Sequence, residues 1–71
     1  MNGLPGETPE VLRDLIVKSE AHRREQMAHL HSLAVQGEST DEAVQVLGWI
    51  EDTLAAMRAR EAYLRALQGG H

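Results

Sequence analysis

Apolar residues along this chain recur at steps of three and four, never in strict alternation. In the first half, Leu12, Leu15, Ile16, Met27, Leu30, Leu33 and Ala34 fall on one stripe. At 3.6 residues per turn this spacing brings side chains to one face of a helix. In the second half, Ala43, Leu47, Ile50, Leu54, Met57 and Leu64 follow an alternating four-three rhythm, with Val46 beside them. That is the heptad spacing of bundle and coiled-coil packing. The pattern predicts two helices and an all-α fold.

The polar residues mark where each helix starts and stops. Residues 1–8 contain Gly3, Pro5 and Gly6 and read as a flexible N-terminal arm. Thr8-Pro9-Glu10 is a helix start, with Thr as cap, Pro at the first helical position and an acid in the first turn. The first helix is predicted over about 9–36, where Gly37 suits the left-handed position that closes a helix. Ser39-Thr40-Asp41-Glu42 has the spacing of a capping box, with Ser39 capping and Glu42 reaching back. The second helix is predicted over about 40–68, with 69–71 a flexible tail. Each helix then runs about 42 Å at 1.5 Å per residue. A connection this short forces antiparallel neighbours, so residues 9–68 form a helical hairpin.

Composition bears on what the hairpin needs. The chain has 71 residues and no cysteine. Domains this small call on disulfides, a metal or a partner for stability, and thiol chemistry is excluded. Self-association is the remaining route. The expected state is a homodimer in which two hairpins pair as a four-helix bundle. In architecture the chain resembles Rop-type hairpins, which pair in this way. The residues expected along the oligomer seam are Leu12, Leu15, Ile16, Met27, Leu30, Leu33, Leu47, Ile50, Leu54, Met57 and Leu64.

The stripe is interrupted. Ser19, Arg23 and Gln26 occupy its angular centre on the first helix, and Glu61 occupies a heptad seam position on the second. They read either as a solvated waist of long side chains or as a polar layer that selects one register and one partner number. Arg23 should lie beside Leu54 and Glu61 beside Ile16, about two turns out of step, so if the two meet, they meet between chains. A weaker apolar line, Trp49, Ala56 and Tyr63 at intervals of seven with Leu67 continuing it, carries the only aromatic side chains. It is either core or an exposed anchor for a protein partner, since Trp and Tyr dominate binding hot spots.

Charge narrows the classes of partner. Eleven acids face seven bases, a net charge of −4, which argues against nucleic acid, where a basic face is expected. The acids Glu38, Asp41 and Glu42 gather at the turn and form a candidate docking surface for a basic target. Arg58, Arg60 and Arg65 lie toward the end of the second helix, an arrangement that suits the helix dipole. Apolar runs are too short to span a membrane. The first residues lack the charged and apolar regions of a signal peptide, so a cytoplasmic location is expected.

Site chemistry is sparse. His22 and His29 share a face with Glu25 between them, but the Glu-x-x-His pattern of carboxylate-bridged metal bundles does not occur. His31 lies on the opposite flank. No Ser/His/Asp order or glycine-rich phosphate loop is present. The expectation is a protein without catalytic residues, cofactor or metal. Its function is then that of a self-associating protein–protein interaction module, a small accessory or regulatory protein. The alternative is a small acidic inhibitor of a host enzyme or nucleoprotein complex, of the kind phages and mobile elements encode.

Overall fold

The computed structural model describes residues 8–69. The arm expected at the N-terminus, Thr8 excepted, and the last two residues of the expected tail lie outside this range. Thr8 is in extended backbone, and its Oγ1 accepts a hydrogen bond from the Val11 N–H at 3.1 Å. Pro9 follows at the first helical position, where a missing N–H costs nothing. From there α1 runs Pro9–Val35.

The end of α1 shows why the chain reverses where it does. The Glu38 N–H donates to the Leu33 carbonyl at 2.9 Å, and the Gly37 N–H donates to the Ala34 carbonyl at 3.1 Å. This crossed pair satisfies two carbonyls that the helix end would leave unpaired. It requires a left-handed residue, and Gly37 supplies it with φ of 73°.

Helix α2 runs Asp41–Gly69. Its start differs by one residue from the capping box expected at Ser39. The first helical bond runs from the Val44 N–H to the Thr40 carbonyl at 2.9 Å, so Thr40 holds the cap position. The Ser39 hydroxyl accepts instead from the Asp41 N–H, at 3.4 Å. That local bond shapes the turn before the helix begins. The dipole expectation for the arginines also fails. The last turn of α2 contains no basic residue, and dipole effects fade within one turn of the end. Arg58 and Arg65 form ion pairs further up the helix instead.

The two helices pack side by side as an antiparallel hairpin. Leu12 and Ile16 of α1 and Ala43 and Leu54 of α2 are its buried apolar residues. Leu30, Leu33, Val46, Leu47, Ile50, Met57 and Leu64 are half-buried along the same seam. Two helices can cover each other on one side only, so most of the stripe is sheltered without being enclosed. Both helices are long for so small a core, which is the sense in which the hairpin is incomplete.

Candidate functional site

The seam between the helices divides the hairpin into two flanks. At 100° per residue, Arg13 and Glu20 fall on one side of α1's buried stripe, with His22 and His29 on the other. On α2 the same geometry separates Glu51, Arg58 and Arg65 from Trp49 and Thr53.

The first flank is ionic. Glu61 is buried, and its Oε2 accepts from the Arg13 Nε at 3.2 Å across the seam and from Arg65 Nε and Nη2 at 3.0 and 2.9 Å one turn along. Arg58 donates to Glu20 across the seam. Arg23 reaches Glu51 at 3.9 Å and also covers the Met27 sulfur. The hydrogen bond from Arg58 holds the Glu20 carboxyl below its ordinary value; partial burial opposes this, and the fields of Arg58, Arg24 and Arg13 add to it. Arg23 and Glu61 therefore each have a partner within their own chain. Arg23 lines one shallow cleft with Glu51, Leu54 and Arg58. Arg13, which lies off the apolar stripe, carries the contact to Glu61 across the seam. Its signal was partial: equal distance from the turn puts Glu61 beside Ile16, one turn from Arg13.

The second flank is an open groove. Ser19, His22, Val46, Trp49, Ile50 and Thr53 line its middle. Gln26, His29, Leu33, Glu42 and Val46 line the part next to the turn. Val46 is common to both, so the groove is continuous. Trp49 is 60% exposed at its edge. Toward the open end, helical periodicity places Val11, Leu15 and Leu67 on this flank, all exposed, while the exposed Tyr63 lines a separate cleft with Ala56, Ala59 and Arg60 on the outer face of α2. Four further large apolar residues, Val17, Met27, Val35 and Val44, are exposed elsewhere. None is aromatic, and Arg23 shelters Met27.

Of the eleven expected seam residues, Leu30, Leu47 and Met57 are half-buried along the seam itself, and the other eight fall into three groups. Leu12, Ile16 and Leu54 are covered by the hairpin itself and closed to a partner. Leu15, Leu33, Ile50 and Leu64 border the groove, while Met27 belongs to the ionic flank. Ser19 and Gln26 face the groove, so the interruption they make on α1 is part of its wall. Of the acids at the turn, Glu38 and Glu42 line the groove's end, and Asp41 is exposed beside them.

His22 and His29 sit in the two parts of the groove, and among the described residues no three His, Cys, Asp or Glu side chains cluster as a metal site would need. Among the same residues no helix is long and apolar enough to cross a membrane. Comparison with protein-family models, with curated proteins and with solved structures gives no match.

Proposed function

We propose that this protein is a self-associating interaction module whose groove flank pairs with that of a second copy to form a four-helix bundle. The observation that carries the reading is the exposure of Trp49 on the edge of a groove whose middle is lined by Val46 and Ile50. An aromatic anchor beside a shallow pocket is the arrangement that binding hot spots use. Size supports it as well. Two helices of about 40 Å, each about 10 Å across, present a slab of roughly 800 Å², the area one partner contributes to an interface of standard size.

Trp49 is the chain's only tryptophan, so its emission reports the test directly. Sedimentation equilibrium should give twice the 7.9 kDa chain mass, with a blue shift of emission as concentration rises. Trp49→Ala should weaken association by roughly 10–100-fold, a hot-spot loss of about 1.4–2.8 kcal/mol. A monomer at tens of micromolar with unshifted emission overturns the proposal. The exposed acids Glu38, Asp41 and Glu42 favour a second reading, docking of the turn end on a basic protein surface. Salt-sensitive binding that survives Trp49→Ala would distinguish it.

A further inference from the structure

Charge is distributed unevenly along the hairpin. The half next to the turn, residues 23–54, holds two bases and six acids, a net −4. The open half, residues 8–22 and 55–69, holds five bases and four acids, a net +1. The turn itself concentrates three of the acids, Glu38, Asp41 and Glu42, within five residues.

Two copies can join their groove flanks in either of two alignments. Turn beside turn sets two halves of −4 against each other. Turn beside open end sets each half of −4 against a half that, apart from the ion pairs of the outer flank, is neutral, with Lys18 and Arg60 balancing Glu10 and Asp14. Each half is about 20 Å long, while salt at physiological strength screens charges beyond about 8 Å. Only directly opposed halves therefore interact strongly, and only turn beside turn opposes like charge. Like charges brought together at an interface are a means of excluding a wrong pairing.

We infer that the second copy docks head to tail, the turn of each hairpin lying against the open end of the other, with a two-fold axis crossing the groove near its middle. This rests on the self-association proposed above. The ionic flank of each hairpin then stays outside, its arginines already committed to Glu61, Glu20 and Glu51. The groove flank supplies the contact, and the acidic turn decides its direction.

The chain has no cysteine, so single labels are clean. Ser39 lies exposed at the turn and Gln68 exposed near the open end. Ser39→Cys carrying a spin label should give a distance within the dimer of about 40 Å, the length of a helix. Mixing Ser39→Cys chains with Gln68→Cys chains should give a disulfide between unlike chains, and Ser39→Cys alone should not cross-link. A dimer whose position-39 labels lie within about 20 Å, half that length, overturns the head-to-tail alignment and leaves self-association standing. Light scattering on the same samples separates the two failures, because a monomeric mass overturns both.

Discussion

On one flank of the hairpin, Arg13 and Arg58 reach across the seam to Glu61 and Glu20. On the other, Val46, Trp49 and Ile50 border an open groove. Both flanks edge the same pair of helices and begin from the same difficulty, a seam that two cylinders cannot close by themselves. The ionic flank closes it with arginines that stay partly in water while pairing with Glu61 and Glu20 over the seam. The groove flank leaves large apolar side chains at the edge, where water is a poor neighbour. One flank finishes the hairpin, and the other leaves its apolar edge open.

The largest effect should come from beneath both flanks. Leu54 is 1% exposed, the most deeply buried side chain. Leu54→Ala should cost roughly 2–5 kcal/mol, as other large-to-small core substitutions do. In so small a core that should abolish a cooperative thermal transition by circular dichroism. Leu15→Ala makes the same chemical change at a site 43% exposed on the groove flank. It should scarcely alter melting in dilute solution and should weaken association at high concentration. Equal effects of the two variants in dilute solution would erase the distinction between core and groove.

The ionic flank can be divided further by the order in which its charges are removed. The Glu61 side chain is 10% exposed, while Arg13 is 62% exposed and Arg65 49%. Removing both arginines leaves a carboxylate in a poorly solvated place, whereas removing the carboxylate returns two arginines to water. Arg13→Ala with Arg65→Ala should therefore destabilise by about 1–3 kcal/mol, the cost of a buried group left unpaired. Glu61→Leu should change stability by less than about 1 kcal/mol in either direction, since apolar replacement of a buried ion pair is often neutral. Chemical denaturation of the variants measures the asymmetry. Equal losses would mean that Glu61 is better solvated than its burial indicates.

The difference between the flanks also explains what could be read in advance. Thr8, Pro9 and Gly37 act through local backbone geometry, so a few adjacent residues placed both ends of α1. Apolar spacing placed the helices on each other. The start of α2 was misplaced by one residue because Ser39 and Thr40 are both able caps, and only the Val44–Thr40 bond separates them. The partner of Glu61 was missed for a different reason. Periodicity orders residues around one helix, but Arg13 and Glu61 are 48 residues apart and meet only once the axial offset of the two helices is set. That offset depends on how Leu12, Ile16 and Leu54 interlock. The Trp49–Tyr63 line was legible from its spacing, yet that Trp49 borders the groove and Tyr63 a separate cleft turned on the same packing.

The smallest expected effect concerns acid. Glu20 has its carboxyl held below the ordinary value of 4.5 by the hydrogen bond from Arg58, with the fields of Arg58, Arg24 and Arg13 adding to it. A group whose folded value is depressed contributes stability that is present in full above its unfolded value. That contribution is lost as pH falls through the folded one. The Glu20–Arg58 pair should therefore be intact at neutral pH and be lost only below about pH 4.5, where the unfolded chain takes up the proton first. Both side chains are partly in water, 34% and 52% exposed, so the contribution is modest. Glu20→Gln should lower the melting temperature slightly at pH 7 and flatten its decline between pH 5 and pH 3, the range that brackets an ordinary carboxylate. The groove flank supplies the control, because Trp49→Ala should shift the whole profile without changing that slope. An acid decline as steep in Glu20→Gln as in the parent chain would assign the pH sensitivity to other carboxylates and leave the Arg58 pair a contact without measurable weight.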